Sequence, residues 1–231
     1  MDVKIYDKLA KKYDLVTKIV SFGIEEIWRW IFIKTIKKYI KNGVLLDIAS
    51  ATGEMGKLNF KKMYFVEPSS EMVKVMLEKF KKNGFIEIEK FKLKKQKQEI
   101  IIIQSRAENF EIDEKVDLIT AFMALRNFDN LKEGIRNLDR VLKNRGYFAI
   151  VEMIKSDNFF SKLILWYMNN IIPFVMGFLG LREEYKLLGK SIDSLKEKDI
   201  MELFKGYEIV EKRNLFFIAK MFIMRKNEKN D

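Results

Sequence analysis

The fold is decided by one stretch of the chain, Val44-Leu45-Leu46-Asp47-Ile48-Ala49-Ser50-Ala51-Thr52-Gly53-Glu54. Its apolar first half predicts a buried parallel strand, and its small residues and glycine predict a tight turn that lets the backbone approach a ligand closely. The acids that flank the turn, Asp47 and Glu54, suit a ligand that is cationic or rich in hydroxyl groups rather than a pyrophosphate. No Lys-Ser or Lys-Thr pair follows, which excludes a Walker loop. From this stretch alone, a ligand site and an ordinary strand–turn connection both stay open.

A second predicted strand also ends in a carboxylate. The apolar run Met63–Val66 leads into Glu67, and Ser69 or Ser70 can cap the helix that follows. A carboxylate at the tip of the second strand of a Rossmann-like unit can accept both hydroxyl groups of a ribose. The alternative is a solvated acid in a turn. Because an acid follows the second strand at the place where such a unit carries one, we favour the ribose-binding interpretation of Glu67.

Apolar runs and amphipathic stretches alternate along the rest of the chain, which predicts a parallel sheet covered on both faces. The predicted strands are Val44–Ile48, Met63–Val66, Ile100–Gln104, Val116–Ala121, Phe148–Glu152, Tyr207–Arg213 and Phe216–Arg225. The predicted helices lie between Tyr6 and Val20, between Ile24 and Thr35, within Met55–Lys62, and at Ser70–Asn83 and Leu131–Leu142. Ligands of such sheets bind beyond the carboxyl ends of the strands, where Asp47, Glu67, Arg106 and Phe122 fall.

Val44 to Gly53 and Val66 to Met72 resemble the first two nucleotide-binding motifs of class I S-adenosylmethionine-dependent methyltransferases. More narrowly, the chain resembles the ubiquinone/menaquinone biosynthesis C-methyltransferases, which methylate a ring carbon of a prenylated quinol. The likeness covers nearly the whole length and is carried by Tyr6 to Asp14, Ser21-Phe22-Gly23-Ile24, Trp28-Arg29, Leu125-Arg126-Asn127, Arg140 to Lys143, Gly146, Glu152, Ile172-Pro173, Tyr185 to Leu188 and Ser191-Ile192. The Ser-Phe-Gly turn and the Leu-Arg-Asn triplet are its more specific motifs.

The resemblance implies an α/β architecture, the Rossmann-like class I methyltransferase fold. Such a fold has a seven-stranded, mostly parallel sheet with helices on both faces and an antiparallel closing hairpin. We expect residues 1–231 to form a single methyltransferase domain, with an N-terminal helical cap at 1–42 and an apolar helical lid inserted at 156–195. The chain has only two prolines and no linker-like stretch, which agrees with a single domain.

The resemblance also implies S-adenosylmethionine as the cofactor and S-adenosylhomocysteine as its product. Glu67 is expected to accept the ribose hydroxyls, while Asp47 and the turn backbone hold the methionine end. Arg106 and Ala107 are expected near the adenine. The full set of expected cofactor-binding residues is Asp47, Ala49, Ala51, Thr52, Gly53, Glu67, Arg106, Ala107 and Phe122.

The expected reaction makes a ring carbon of the acceptor the nucleophile, which requires the neighbouring phenol to lose its proton. Arg126 is expected to stabilise the phenolate electrostatically, because the pKa of arginine is too high for a base. Asn127 and Tyr13 are expected to orient the acceptor, and Asp14 or a water molecule to take the proton. The alternative is that Arg126 and Asn127 cap the helix at Leu131 and pair with a surface acid.

Some residues depart from the usual family pattern. Ser50-Ala51-Thr52-Gly53-Glu54 stands where the family usually has Cys-Gly-Thr-Gly-Asp, so a methyl group at Ala51 narrows the space beside the cofactor and disfavours a positive φ. Arg106 replaces a polar residue beside the adenine. Phe122 and Ala124 replace a serine and a glycine before the Leu-Arg-Asn triplet. These changes keep two alternatives open, namely another lipid-like acceptor and a non-catalytic cofactor-binding protein of the same fold.

Composition excludes some chemistry. The 231 residues contain no histidine and no cysteine, which excludes a histidine base and metal sites built on either residue, so no metal site is predicted. The net charge of +11 attracts any polyanion, but no nucleic-acid motif is present and no specific nucleic acid is expected as a partner. The lysine-rich segment Phe91–Glu99 is interpreted as a solvated loop or helix extension, with a membrane-surface or nucleic-acid contact as the alternative.

Leu163–Leu181 carries no charge over 19 residues, long enough for a membrane span. Because Asn169, Pro173 and two glycines interrupt it, we predict a lid of two apolar helices instead. Its large aromatic residues are Trp166, Tyr167, Phe174 and Phe178. They are expected to face a small hydrophobic substrate, a quinol by resemblance, or the bilayer surface, with ordinary core as the alternative.

No cleavable signal peptide is visible, so the expected location is cytoplasmic and peripheral to the inner face of the membrane. The same aromatic surface would also suit a homodimer.

Overall fold

The computed structural model describes residues 3–154, 159–178, 180–191, 195–216 and 218–228. Some predicted segments extend beyond these residues. They are positions 156–158, 179 and 192–194 of the expected lid, position 217 of the expected strand Phe216–Arg225, and both ends of the expected domain. Ile192 of the Ser-Ile motif also lies outside the described residues.

The centre of the described structure is a sheet of nine strands. They are β1 (Val44–Ile48), β2 (Lys62–Val66), β3 (Ile86–Glu89), β4 (Lys92–Lys95), β5 (Gln98–Ile103), β6 (Val116–Phe122), β7 (Leu142–Met153), β8 (Tyr207–Asn214) and β9 (Ala219–Lys226). Their order in the sheet is β3-β4-β5-β2-β1-β6-β7-β9-β8. The pairs that join β5, β2, β1, β6 and β7 are parallel, and the outer pairs are antiparallel. The predicted parallel centre and the predicted closing hairpin, β8 and β9, are therefore confirmed.

The interpretation of Phe91–Glu99 as a loop or helix extension is wrong. All seven predicted strands are present, and β3 and β4 add a hairpin that extends the sheet beyond β5. The hairpin forms because Leu93 is fully buried against the core while the lysines on either side of it remain outside, which is the alternation of a half-buried strand. Phe91 (φ +64°) and Gln96 (φ +52°) adopt left-handed conformations at the two turns. Because lysines flank Leu93, the hydropathy pattern of the segment does not reveal its one buried position.

Helices cover both faces of the sheet. They are α1 (Val3–Leu9), α2 (Tyr13–Val20), α3 (Ile24–Tyr39), α4 (Ser70–Lys82), α5 (Leu131–Val141), α6 (Phe159–Trp166), α7 (Ile172–Gly177), α8 (Arg182–Ser191) and α9 (Glu197–Leu203). The short helix predicted within Met55–Lys62 is only a 3₁₀ turn at Glu54–Leu58. Ser69 caps α4, because its Oγ accepts a hydrogen bond from the Met72 N–H at 3.1 Å.

Two apolar cores lie on opposite faces of the sheet. Leu46 and Leu45 are neighbours in β1 but belong to different cores, because successive residues of a strand point to opposite faces. A third, smaller cluster joins α1 and α2 to the helices that follow β7, through Ile5, Leu9, Val16, Val20, Ile172, Met176 and Tyr185. We call α1 to α3 the cap, and α6 to α8 with the π turn Tyr167–Ile171 the lid. The cap and the lid thus pack on each other.

The apolar segment Leu163–Leu181 is divided in the structure. It contains the end of α6, the π turn and α7, whose first turn contains Pro173. Among the residues that the structure describes, no helix is both long enough and apolar enough to cross a bilayer.

Candidate active site

A cavity of about 530 Å³ lies where β1, β2 and β6 end, and both the cap and the lid contribute to its wall. All predicted site residues line this cavity except Asp14 and Gly53. Its volume is in the range of small-molecule and cofactor sites. The expected convergence at the carboxyl ends of the strands is therefore what the structure shows.

Glu67 follows β2 and is only 4% exposed. Its Oε2 accepts the Ala51 N–H at 2.8 Å, and its Oε1 accepts the Ser69 N–H at 3.0 Å. Burial raises the pKa of Glu67 to about 7, although the two backbone hydrogen bonds favour the carboxylate. The Glu67 side chain thus joins the turn after β1 to Ser69, the N-cap residue of α4. Each carboxyl oxygen keeps a lone pair for a ligand.

Asp47 lies near the end of β1, is 3% exposed and also lines the cavity. Its Oδ1 accepts a hydrogen bond from Thr120 Oγ1 at 2.6 Å. Burial raises the pKa of Asp47 to about 7, against the opposing effects of this hydrogen bond and of the Arg29 charge. Two desolvated carboxyl groups therefore face one cavity.

The turn after β1 has an unusual backbone. Ala49 (φ +52°), Ala51 (φ +47°) and Gly53 (φ +77°) all adopt the left-handed region. The methyl group was expected to disfavour a positive φ at Ala51, yet the residue adopts it, with its N–H held by Glu67. A Cβ at Gly53 would lie 2.7 Å from Met76 Cγ, so only glycine lets the turn approach α4 this closely.

Asp14 does not join the other predicted catalytic residues. It accepts a hydrogen bond from Thr52 Oγ1 at 2.7 Å and pairs with Lys79 at 2.8 Å, outside the cavity wall. Lys79 also pairs with Glu54. Burial opposes the ionisation of Glu54, but the hydrogen bonds and charges of its basic neighbours outweigh it and lower its pKa to about 2. This cluster fastens α2 to the turn and to α4.

Arg126 is 5% exposed and forms an ion pair with Glu152, which is fully buried. Glu152 also accepts the Leu125 N–H at 3.0 Å. The alternative interpretation of Arg126 and Asn127 is wrong, because Asn130 caps α5 and the acid that pairs with Arg126 is not at the surface. The buried Nε of Arg126 has no acceptor among the described residues, although Arg126 lines the cavity.

The remaining predicted residues lie at the edges of the cavity. Arg106 is about one-third exposed and pairs with Asp129, while Ala107 is buried beside it. The Phe122 ring packs against the Arg29 guanidinium, whose Cζ lies 4.9 Å from the ring centroid. The adenine and pocket roles expected for these residues remain predictions.

Several polar side chains of the wall received no role in the sequence analysis, among them Tyr6, Glu25, Arg29 and Tyr185. Tyr6, Arg29 and Tyr185 lie in segments that carry the family resemblance, which was the available signal. Glu25 is one of two adjacent acids in the first turn of α3, and the sequence does not distinguish it from Glu26. In the structure, the Glu25 side chain is 16% exposed and the Glu26 side chain is 59% exposed.

The sheet order, the turn after β1 and the carboxylate after β2 define a class I S-adenosylmethionine-dependent methyltransferase. Two solved structures of S-adenosylmethionine-dependent methyltransferases share the fold. One, from Thermotoga maritima, has a TM-score of 0.65 at 15% identity and covers 97% of this chain and 99% of its own. The other, from Aquifex aeolicus, has a TM-score of 0.61 at 15% identity and covers 98% of this chain and 99% of its own.

The chain belongs to the ubiE/COQ5 methyltransferase family, whose model matches residues 2–219. It is 28% identical to the demethylmenaquinone methyltransferase of Thermotoga maritima, over 96% of this chain and 94% of the relative. It is 29% identical to a ubiquinone/menaquinone biosynthesis C-methyltransferase of Rickettsia peacockii, over 91% of this chain and 86% of the relative. The predicted family, enzyme class and cofactor are therefore confirmed.

The residues of the cavity fit S-adenosylmethionine. The cofactor carries two ribose hydroxyls and an ammonium group as hydrogen-bond donors, together with a positive sulfonium. The two desolvated carboxyl groups, Asp47 and Glu67, offer acceptors and negative charge at the strand ends. The backbone from Ala49 to Gly53 lies beside them.

We predict that Ala51→Gly stabilises the protein. Glycine adopts a positive φ without the Cβ clash, so the free energy of unfolding should rise by about 1 kcal/mol. The melting temperature should rise by about 2–4 °C, measured by thermal and urea denaturation. Ala149→Gly, in β7 with an ordinary φ, is the matched control and should lower stability. An unchanged or lower stability of Ala51→Gly would show that the turn is not strained.

We predict that cofactor affinity falls as pH decreases. A carboxyl group with a pKa near 7 becomes protonated between pH 8 and 6, which should weaken binding by about tenfold for each such group. Titration calorimetry with S-adenosylhomocysteine across this range measures the slope. Glu67→Gln should bind more weakly at pH 8 and show a shallower slope, whereas Glu78→Gln, exposed on α4, should match the wild type. A pH-independent wild type would contradict the assignment.

Proposed function

We propose that the protein transfers a methyl group from S-adenosylmethionine to a ring carbon of a prenylated quinol. One observation carries the proposal: a single cavity has buried carboxyl groups at the strand ends and a largely apolar wall from the cap and lid. Leu9, Leu163, Ile164 and Met168 belong to that apolar wall. The relatives named as demethylmenaquinone and ubiquinone/menaquinone methyltransferases support a quinol rather than another lipid-like acceptor.

The cofactor supplies an electrophilic methyl group on its sulfonium when bound. Glu67 would accept the ribose hydroxyls, and Asp47 with the turn backbone would hold the methionine end. The task of the chain is to align the donor with the acceptor and to exclude water, because aligned reactants need no further ordering before the transfer. The cap and lid pack on each other and both line the cavity, and they would provide that cover.

Arg126 is proposed to hold the acceptor oxygen. Its Nε–H is a buried donor with no protein acceptor among the described residues, which is costly unless a ligand accepts it. Glu152 fixes the orientation of the guanidinium from the other side. A developing phenolate would be stabilised by this charged donor in a cavity with little water. Asn127 lies beside it in the wall.

Tyr13 is proposed to orient the acceptor through its hydroxyl group. Burial raises the pKa of Tyr13 well above its ordinary value, so the phenol remains neutral and can donate a hydrogen bond. Asp14, its neighbour, is engaged by Lys79 and Thr52 outside the cavity. We therefore do not assign the proton transfer to Asp14.

We also propose that the protein docks on a lipid bilayer through an aromatic rim, formed by Phe22, Trp166, Phe174 and Phe178. These side chains are 56% to 80% exposed, and Phe22 and Trp166 also line the cavity, so the rim and the cavity share residues. Phe22 contacts Tyr167 of the lid, with ring centroids 6.0 Å apart, which joins the cap and lid parts of the rim. Lys162 and Arg182 are exposed on the lid helices, and the whole chain is basic, which suits anionic headgroups.

The test of the proposed function is turnover of a prenylated naphthoquinol with one free ring position beside its hydroxyl. We predict that Arg126→Lys lowers kcat by about 10²-fold with cofactor affinity unchanged, because lysine keeps the charge opposite Glu152 but lacks the Nε donor. Arg136→Lys, 82% exposed on α5, is the control and should match the wild type. Cofactor binding without quinol turnover, but with methylation of phosphatidylethanolamine, would favour the other lipid-like acceptor. An absence of cofactor binding would favour the non-catalytic alternative.

We predict that the protein co-sediments with phosphatidylglycerol vesicles. The double variant Phe174→Ser/Phe178→Ser, in which neither residue lines the cavity, should reduce vesicle binding by about tenfold or more because apolar area is lost from the rim. Ile86→Ser, 71% exposed on β3, is the control. A variant that binds vesicles normally but changes from dimer to monomer would show that a second copy covers the rim.

A further inference from the structure

Glu25 is a cavity carboxyl group without a role in the mechanism derived so far. It lies in the first turn of α3, and its side chain lines the cavity and is 16% exposed. Arg29, one helical turn later, donates a hydrogen bond to Oε1. No other described residue donates to the carboxyl group, so Oε2 is available to a ligand.

The other acids of the wall are already engaged. Asp47 and Glu67 lie at the strand ends and are assigned to the cofactor. Glu54 is ionised, and its charge is balanced by basic side chains. Glu108 accepts the Asn130 N–H at 3.0 Å. Among the described acids that line the cavity, Glu25 is therefore the one that remains for the acceptor.

The charged and titratable groups that face Glu25 come from the cap, the lid and the strand ends. Arg29 lies on the same helix, Arg126 follows β6, Tyr13 and Asp14 belong to α2, and Tyr185 belongs to α8. Burial raises the pKa of Glu25, although Arg29 and Arg126 favour its ionised form. A carboxylate in this environment is a stronger base than one in water, since its pKa lies closer to that of a phenol.

We propose that Glu25 is the proton acceptor for the hydroxyl group of the methyl acceptor, an inference that rests on the proposed function. The phenolic O–H bond breaks and its proton moves to Oε2 of Glu25. The electron pair left on the oxygen conjugates into the ring, and the ring carbon forms the new C–C bond as the bond between sulfur and the methyl group breaks. Glu25 then returns its proton to the oxygen, while the methylated carbon releases its hydrogen as a proton to water and the ring becomes aromatic again.

Arg29 is then a positioning residue. It bonds Glu25 on one side, lies 3.5 Å from Glu54 on the other, and stacks over the Phe122 ring. This arrangement holds Oε1 in place and leaves Oε2 facing the acceptor. It also means that Arg29 keeps an acidic partner when Glu25 is replaced, so the fold should tolerate Glu25→Gln.

The test compares kcat of Glu25→Gln with that of Glu26→Gln, using the prenylated naphthoquinol from pH 5.5 to 9 at constant ionic strength. S-adenosylmethionine is kept saturating at every pH, so that the pH dependence of cofactor binding does not contribute to the rate. We expect Glu25→Gln to lower kcat by about 10²-fold or more, with cofactor affinity unchanged and the acidic limb of the pH–rate profile lost. Glu25→Asp should retain the acidic limb and part of the rate. Glu26→Gln, which removes an exposed acid of the same helix turn, should behave as the wild type.

Two results would overturn the inference. Turnover of Glu25→Gln within threefold of the wild type would remove Glu25 from proton transfer while leaving the proposed function intact. So would a lower rate that keeps the acidic limb, because a merely structural role slows turnover without changing the pH profile. Failure of the wild type to methylate the quinol would overturn the proposed function and this inference together.

Discussion

The site depends on the two hydrogen bonds that the Glu67 carboxylate accepts from the backbone of Ala51 and Ser69. They join the turn after β1, the end of β2 and the first turn of α4. Ser69 continues the connection, because its Oγ caps α4 and donates to Asp7 of α1 at 2.6 Å. The cap is therefore fastened to the same residues that would hold the ribose. The position of the cap and the geometry of the cofactor site are therefore linked through one buried acid.

A strained turn beside this acid is consistent with a binding role. Ala49 and Ala51 occupy left-handed conformations that cost about 1–3 kcal/mol each, and such strain persists only where the surrounding structure determines it. The Glu67 carboxylate supplies that determination at Ala51 by fixing its N–H. The chain thus replaces the conformational freedom of a glycine by a hydrogen bond. The turn therefore adopts a left-handed conformation at Ala51 without a glycine.

The sheet could be predicted from the sequence because buried strands produce unbroken apolar runs, as in Val44–Ile48, whose predicted ends match the structure. The hairpin of β3 and β4 could not, because one buried leucine among lysines gives too little periodicity. The position of Glu67 in the cavity wall was predictable, because the residue directly follows a strand end, where ligands of such sheets bind. Glu25 and Asp14 were not, because their surroundings come from the packing of α2 and α3 against distant segments. Two neighbouring acids of one helix turn, Glu25 and Glu26, differ only in the face that this packing buries.

The acids of this one cavity differ in their pKa because their surroundings differ. Burial raises the pKa of Asp47, Glu67 and Glu25, whereas lysine contacts lower that of Glu54. The same functional group can therefore bind a hydroxyl, fasten a helix or move a proton, according to whether its charge is desolvated, paired or shared with an arginine. A chain without histidine has no side chain whose ordinary pKa lies near neutrality, apart from groups whose surroundings displace them. In this fold, Asp47 and Glu67 are such groups, because burial raises the pKa of each to about 7.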